Sequence, residues 1–281
     1  VGTQQDLVDL LGGSEQVELL EEKVRDHLGF THTFDSVGQV YPRSLDFNVV
    51  SGLVQLSSAP ANLAKTLRLM AGHDLVTEGF QEGQVGSSAM PHKMNMRSCE
   101  RISGLSHVLQ GYLTMVTSLV GDQWNEGDVS CSVVRRVALP DAFLAIDGLL
   151  QTFLSVLEDF GAYPKVIERE LNHYLPFLST TRILTAATQA GMGREEAHEA
   201  IKAHAVSAAL DLRNNNEGEN TLLQRIADDP EIPLSFDELK SAIATSDIGR
   251  TDQQIKAVNQ IIQQVIERHP ESKSYNPQTI I

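Results

Sequence analysis

The sequence predicts an all-α protein built around a bundle of long helices. Three stretches of about six turns each carry apolar residues in alternating steps of three and four, a period typical of long helices that pack nearly parallel to one another. Shorter helical segments follow them. We therefore expect a central helical-bundle domain in residues 1–170, which includes a loop at 81–97, and a smaller C-terminal helical domain in residues 171–281.

The bundle domain begins with a shorter helix, which precedes the first long one. Residues 1–11 are ambiguous. A helix is then predicted from Ser14 to Gly29, because glycine commonly ends helices. The first long helix begins at Ser44. Pro60 fills one position of its apolar stripe, where we expect the proline to kink the helix without ending it. The apolar positions of this helix are Val49, Leu53, Leu56, Leu63, Leu67 and Met70.

Two further long helices are predicted after the loop. The apolar positions of the second are Ile102, Leu105, Leu109, Tyr112, Val116 and Leu119. An irregular stretch at 121–132 separates it from the third, in which Pro140 lies early. The apolar positions of the third are Phe143, Ile146, Leu150, Phe153 and Leu157. Such stripes are nearly always core, and these are long for one chain to cover, so we expect partner helices from other subunits.

Beyond residue 161 the predicted elements become shorter. Helices are expected near residues 165–173, 179–190 and 194–212. Two capping-box spacings predict two more helix starts, and the last helix should run to about residue 268. The two pairs are Ser235 with Glu238 and Thr251 with Gln254.

The composition argues against several classes of function. A net charge of −15 disfavours a nucleic-acid-binding face and an anionic membrane surface. Cys99 and Cys131 have no metal-ligand spacing, and no apolar run approaches the roughly 20 residues that cross a bilayer. We expect a cytoplasmic protein with no metal, cofactor, nucleic-acid partner or membrane partner. The chain starts at Val1 and not at a methionine, so an N-terminal portion is expected to precede it.

The loop at 81–97 contains the residues that best indicate a chemical function. Gly86 lets backbone amides approach a ligand, while Lys93 and Asn95 add a charge and a polar donor suited to a carboxylate or phosphate. The next helix is expected to begin near Ser98, so its positive end also faces the loop. The Walker pattern GxxxxGK[ST] is absent. The loop therefore predicts an anion site, and the alternative is a polar surface connection.

The run GSSAMPHKMN at residues 86–95 resembles the GSSxMPxKxN loop of the fumarase/aspartase superfamily. Within that superfamily, GTQQ, QVYPRSLD, MRSCERISGL and the segment from Trp124 to Arg136 resemble the adenylosuccinate lyase family. The C-terminal runs LPFLSTTRIL and REEAHEAI are also similar to that family. The resemblance covers essentially the whole chain, which corresponds to the later part of a full subunit.

The resemblance implies an anti β-elimination that releases fumarate from adenylosuccinate, giving AMP, and from the succinylated ribotide SAICAR, giving AICAR. It implies that Ser87 is the general base that takes the Cβ proton. Lys93 and Asn95 would hold the succinyl carboxylates and stabilise the aci-carboxylate that develops. Without the resemblance, a loop serine is more simply a solvated or turn-capping hydroxyl.

The resemblance also assigns residues that hold the rest of the substrate. The full substrate-binding set is Gln4, Lys93, Asn95, Arg101, Ser132 and Arg136. Ser132 and Arg136 match the pair that grips the nucleotide phosphate, and the alternative for Arg136 is a buried, internally paired arginine. The resemblance also implies a homotetramer, because active sites in the superfamily draw on three subunits.

Three departures from the family pattern bear on these roles. Met96 follows the asparagine where many members of the superfamily have proline, and Gly127 stands where some members carry a substrate-contacting arginine. The general-acid histidine and a second active-site histidine of the family match none of the histidines here, so the chain alone should have little activity. His92 occupies a variable position and is interpreted as a solvated neighbour.

Other readings of the sequence remain. Another fumarate-releasing lyase of the superfamily, such as argininosuccinate lyase or an aspartase, would share the loop. A non-catalytic helical assembly module could keep the loop as a ligand-binding element, and a purely structural bundle would bind no ligand.

Overall fold

A computed structural model of the protein describes residues 2–79, 95–214, 219–244 and 249–277. The predicted all-α class is confirmed. The chain divides into two compact units, Val1–Gly161 (with the last residues from Pro277) and Ala162–Asn276. The domain division expected after residue 170 stays a prediction.

The first unit contains five helices among the described residues. They are α1 (Gln5–Leu11), α2 (Ser14–Leu28), α3 (Ser44–Ala71), α4 (Arg97–Thr117) and α5 (Val129–Asp159). The second unit contains α6 (Pro164–Leu178), α7 (Thr180–Gln189), α8 (Arg194–Asn214), α9 (Leu222–Ala227), α10 (Phe236–Ile243), α11 (Thr251–Arg268) and the 3₁₀ helix Pro270–Ser274. Two short strands, β1 (Val76–Thr77) and β2 (Gly161–Ala162), pair with each other.

Two helix starts differ from the sequence-based expectation. The third long helix, α5, begins at Val129, well before Pro140, because the carboxylate of Asp128 accepts the backbone N–H of Ser130 at 2.8 Å and caps the helix. Pro140 therefore lies inside the helix. The ambiguous segment at 1–11 contains the short helix α1.

The two predicted capping boxes have different outcomes. At α10 the box is present: the Ser235 hydroxyl accepts the N–H of Glu238 at 3.3 Å, and the Glu238 carboxylate accepts the N–H of Ser235 at 2.8 Å. At α11 the prediction is wrong, because Arg250 occupies the N-cap position and Thr251 is already helical.

The core of the first unit lies between α3, α4 and α5. Of the predicted α3 stripe, Leu67 is buried and Leu53 and Met70 pack against the core, but the rest of the stripe is corrected. The buried line runs through Val50, Ser57 and Ala64. The adjacent line, which was predicted as core, is exposed: Val49 38%, Leu56 52% and Leu63 36%. Small side chains let the helices approach closely, and the hydroxyls of Ser57 and Ser106 lie 3.3 Å apart between α3 and α4.

The other two stripes are partly confirmed. On α4 the predicted residues Ile102, Leu109 and Val116 are fully buried. On α5 the predicted core residue Ile146 is buried together with three alanines, Leu149 and Val156, whereas Phe143 and Leu157, which were predicted as core, are exposed. By length and composition α5 is also a candidate membrane span, although its buried face packs against α3 and α4 as in the core helix of a bundle.

Contacts at the helix ends show that α3 and α5 run in one direction and α4 in the other. Near the start of α3, Arg135 of α5 pairs with Asp46 at 2.7 Å, and Gln123, which follows α4, accepts the backbone N–H of Arg43 at 2.7 Å. We call this the Tyr41 end of the bundle, after the tyrosine bonded to Asp46.

The opposite end of the bundle, which we call the Glu78 end, joins the end of α3 to the start of α4 and the end of α5. The Glu78 carboxylate accepts the N–H of Ser98 at 2.8 Å. Gly79 has φ of 93° and packs so closely on Asp159 that an added Cβ would lie 2.6 Å from the Asp159 Cβ. A glycine is therefore required where β1 leads out of the bundle.

The second unit has its own core, formed by α7–α10 and the turns between them. Its fully buried side chains include Ile183, Leu222, Ile226 and Leu239. At the edge of this core, His204 Nε2 lies 2.6 Å from a carboxylate oxygen of Asp229. The Asp229 carboxylate also accepts the N–H of Glu231 at 2.9 Å. These hydrogen bonds link α8 to the turn after α9.

The Asp229 pair predicts acid sensitivity. The hydrogen bond from His204, with that from the Glu231 backbone, holds the pKa of Asp229 below its usual range. The pKa is lower in the folded state, so this contribution to stability is present above the ordinary value of about 3.9 and is lost as pH falls through the folded pKa. In urea unfolding of the full-length protein between pH 5 and 3, we expect Asp229→Asn to show a shallower loss of stability than wild type.

The adjacent carboxylate provides the control for this experiment. Asp228 is exposed and is bonded by the Gln224 side chain at 2.7 Å. Asp228→Asn should keep the wild-type pH dependence. Equal slopes for wild type and Asp229→Asn would contradict the role given to the His204–Asp229 pair.

Candidate functional site

Part of the predicted site lies outside the described residues. This applies to the proposed base Ser87, to Lys93 and to Gly86 and His92 of the same loop. The structure describes the other five predicted residues: Gln4, Asn95, Arg101, Ser132 and Arg136.

The Glu78 end holds two of the predicted substrate-binding residues. Asn95 is partly buried and lies two residues before α4, and Arg101 is exposed on the second turn of that helix. Each of these two residues makes at least one hydrogen bond, ion pair, ring contact or electrostatic interaction. They are held in place by the start of α4, whose position depends on Glu78.

Glu78, which precedes the loop in the sequence, caps α4. This carboxylate is buried, and its two oxygens accept the N–H groups of Ser98 at 2.8 Å and Cys99 at 3.0 Å. It therefore occupies the positive end of the helix, which we had expected to face a bound anion; that expectation is corrected. Burial, with the neighbouring Glu78 charge, raises the pKa of Cys99 to about 12, so this thiol stays protonated and is not a nucleophile.

Removing the Glu78 charge should loosen the start of α4. We expect Glu78→Gln to destabilise the full-length protein by about 1–2 kcal/mol, because an amide can satisfy only one of the two backbone donors. Urea unfolding should show this loss of stability. Hydrogen exchange at the backbone amides of Ser98 and Cys99 should be faster in the variant than in wild type. Glu100→Gln is the matched control, because Glu100 is exposed in the same turn. Unchanged exchange at both amides in Glu78→Gln would contradict the capping role.

The Tyr41 end holds the predicted phosphate pair. Ser132 and Arg136 are one turn apart at the start of α5, so they lie on the same helix face. Ser132 is partly buried and Arg136 is exposed. The alternative of a buried, internally paired Arg136 is therefore wrong, and its guanidinium can reach a ligand from the surface.

The neighbouring arginine is directed into the protein. Arg135 Nε donates to a carboxylate oxygen of Asp46 at 2.7 Å, and its Nη2 donates to the hydroxyl of Tyr41. That hydroxyl in turn donates to the second oxygen of Asp46 at 2.7 Å. Burial, followed by the hydrogen bond to Asp46, raises the pKa of Tyr41, so the phenol stays neutral. The triad of Tyr41, Asp46 and Arg135 fixes the first turns of α5 against α3.

Sequence reasoning assigned no role to this triad. Two of its residues lie in QVYPRSLD, which supported only the family resemblance. The adjacent arginines 135 and 136 were a usable signal, because neighbouring helix residues point about 100° apart and cannot serve the same surface.

Gln4 also belongs to the Tyr41 end. The N–H of Gly2 donates to the Val37 carbonyl at 3.1 Å, and the N–H of Gln39 donates to the Asn125 carbonyl at 2.9 Å, which ties the first residues to the turn before α5. Gln4 adopts a left-handed φ of 55° at the start of α1, and its side-chain amide donates to Glu21.

The predicted residues therefore fall into two groups at opposite ends of one bundle. Gln4, Ser132 and Arg136 lie at the Tyr41 end, and Asn95 and Arg101 lie at the Glu78 end. The part of α4 from Arg101 to its end at Thr117, at about 1.5 Å per residue, is roughly 24 Å long. No small substrate can touch both groups of a single chain.

The described residues offer no metal centre: within 2–79, 95–214, 219–244 and 249–277, no three His, Cys, Asp or Glu side chains are grouped to hold a metal ion. The chemistry of the two ends is instead that of hydroxyl, amide and guanidinium groups. Such groups suit carboxylates and phosphates.

Solved structures with the same helical architecture are lyases and related enzymes. The 3-carboxy-cis,cis-muconate lactonizing enzyme of Pseudomonas putida superposes with a TM-score of 0.65 at 19% identity, over 86% of this chain and 52% of that one. A fumarate lyase of Mesorhizobium superposes with a TM-score of 0.56 at 18% identity, over 72% and 43%. The fold is thus the long-helix bundle of the fumarase/aspartase type, as the sequence predicted.

Sequence comparison identifies one family among the proteins with this fold. Residues 176–265 match the family described as adenylosuccinate lyase C-terminus. Adenylosuccinate lyase of Saccharomyces cerevisiae is 35% identical over 257 residues, which is 91% of this chain and 53% of the yeast protein. That of Schistosoma mansoni is 35% identical over 231 residues, 82% and 48%. The chain belongs to the adenylosuccinate lyase family, and it spans about half the length of the curated relatives it matches.

Proposed function

We propose that the full-length protein containing this chain is a carbon–nitrogen lyase of purine biosynthesis that eliminates fumarate from adenylosuccinate and from SAICAR, giving AMP and AICAR. The observation that carries this proposal is the 35% identity to the yeast enzyme across 91% of the chain. The substrate is accordingly a nucleotide. The net charge of −15 disfavours a nucleic-acid partner.

The proposed reaction removes a proton and an amine from adjacent carbons. Ser87 takes the Cβ proton, the Cα–N bond breaks, and the electron pairs form the double bond of fumarate and remain on the departing nitrogen. Lys93 and Asn95 hold the succinyl carboxylates and stabilise the charge that develops on one of them. The proton that the nitrogen receives comes from a histidine that the family resemblance assigns outside this chain.

The nucleotide part of the substrate would be held by the remaining residues. Ser132 and Arg136 contact the phosphate, and Gln4 and Arg101 contact the rest of the molecule. Arginine suits the phosphate because its planar fork can donate two parallel hydrogen bonds.

We propose that the active protein is a cytoplasmic homotetramer whose active sites are shared between subunits. Two observations support this. The two groups of predicted residues are roughly 24 Å or more apart in one chain, so a complete site needs the Tyr41 end of one subunit beside the Glu78 end of another. The exposed line at Val49, Leu56 and Leu63 is also the kind of apolar surface that buries against partner helices.

A substrate panel tests the proposed activity against its rivals. The full-length protein should release fumarate from adenylosuccinate and SAICAR, and not from argininosuccinate or aspartate. Release only from one of the latter two would identify a different lyase of the superfamily. Nucleotide binding without turnover of any substrate would favour a non-catalytic assembly module.

A further inference from the structure

One arginine at the Tyr41 end is buried without an acidic partner. Arg43 is 6% exposed, and its guanidinium carbon lies 4.7 Å from the centre of the Tyr41 ring. Its Nε atom is sealed from solvent and has no hydrogen-bond partner, the single such side-chain atom in the described part of the chain. None of the ion pairs among the described residues includes Arg43.

A buried arginine cannot escape its charge by losing a proton, because the guanidinium stays protonated in proteins. Burying an unpaired ion costs several kcal/mol, so buried charges are normally paired. The cation–π contact with Tyr41 supplies no hydrogen-bond acceptor, so it leaves the Nε–H donor unmatched. A bound ion is one of the explanations that such an unsatisfied group calls for.

The surrounding charges do not balance. The guanidiniums of Arg43 and Arg135 both lie against the Tyr41 ring, at 4.7 and 5.2 Å from its centre. The carboxylate of Asp46 is bonded to Arg135 and to the Tyr41 hydroxyl, and not to Arg43. Tyr41 is neutral, so the cluster carries one positive charge in excess. The backbone of Arg43 is itself held by its 2.7 Å bond to Gln123.

We propose that Arg43 is the centre of an oxyanion-binding site at the Tyr41 end, and that the anion is a phosphate, either free or carried by a nucleotide. The guanidinium fork matches the spacing of phosphate oxygens. The Ser132 hydroxyl and Arg136 lie at the same end of the bundle. The proposal concerns binding alone and does not depend on the lyase activity proposed above.

Phosphate binding to the full-length protein tests the assignment. Calorimetric titration with inorganic phosphate should show one site per chain that is weakened about ten- to hundredfold in Arg43→Gln, the loss expected for hydrogen bonds to a charged group. Arg25→Gln is the matched control, because Arg25 already has an acidic partner in Asp26 at 2.9 Å. Its phosphate affinity should stay within about twofold of wild type. Equal phosphate affinity in wild type and Arg43→Gln would overturn the proposal.

Two further titrations distinguish a nucleotide phosphate from free phosphate. If the site takes a nucleotide phosphate, AMP binding should weaken in Arg43→Gln while adenosine binding stays the same. If it takes free phosphate, AMP and adenosine binding should both be unaffected by the substitution, and inorganic phosphate binding alone should weaken.

A measurement on the wild-type protein covers the case in which Arg43→Gln does not fold. Crystals of the full-length protein soaked in arsenate, a phosphate analogue with anomalous scattering, should show a peak within hydrogen-bond distance of the Arg43 guanidinium. A protein carboxylate in that place, or no peak at a saturating arsenate concentration, would overturn the proposal.

Discussion

Replacing Ser87 by alanine in the full-length protein is expected to lower kcat for fumarate release by about 10²–10⁴-fold, the usual contribution of a general base. The reason is that Ser87 is the proposed base for the Cβ proton. KM for adenylosuccinate should change much less, because other residues are proposed to hold the carboxylates and the phosphate. Steady-state assays of fumarate formation give both constants.

The neighbouring serine is the matched control. Ser88→Ala removes an equivalent hydroxyl from the same loop and should reduce kcat far less than Ser87→Ala. If both variants lost activity to the same extent, the cause would be a disturbance of the whole loop, and Ser87 would have no specific role as the base. If Ser87→Ala kept the wild-type kcat, another residue would be the base.

Replacing Asp46 by asparagine is expected to destabilise the protein by about 2–4 kcal/mol. Breaking a buried ion pair by removing one partner commonly costs about 3–5 kcal/mol, and the value here is lower because the Arg135 side chain is 27% exposed. The substitution leaves Arg135 without its carboxylate partner. Urea unfolding at a fixed protein concentration measures the loss.

Two further variants show whether the loss comes from this cluster. Asp147 is exposed on α5, the same helix as Arg135, so Asp147→Asn should change stability by less than about 0.5 kcal/mol. Tyr41→Phe, which removes one hydroxyl, should cost about 1 kcal/mol. An Asp46→Asn variant as stable as Asp147→Asn would show that the pair contributes nothing to folding.

The helical class could be predicted from the sequence because the apolar period is long and regular. On α4 one line of large residues through Ile102, Leu109 and Val116 is also the buried line, so periodicity gave both the helix and its inner face. On α3 the large residues at 49, 56 and 63 lie beside a line of small ones, and the small line is buried. Periodicity cannot choose between adjacent lines when close helix packing selects for small side chains.

Less of the site could be predicted from sequence. The loop motif suggested an anion site with the start of α4 as one wall, but Glu78 occupies that helix end. Its role depends on a contact across 20 residues of chain, which no local pattern records. Likewise, the sequence did not show that Arg135 is paired while Arg43 is not, because both facts depend on how α3 and α5 meet.

We propose that this chain supplies the loop and the phosphate-binding end of a lyase that acts on a succinylated purine nucleotide. The most direct measurement is the stoichiometry of products when the purified full-length protein is incubated with adenylosuccinate. We expect equal amounts of fumarate and AMP, formed at the same rate. Intact adenylosuccinate after prolonged incubation with the folded protein, or AMP formed without fumarate, would rule out this activity.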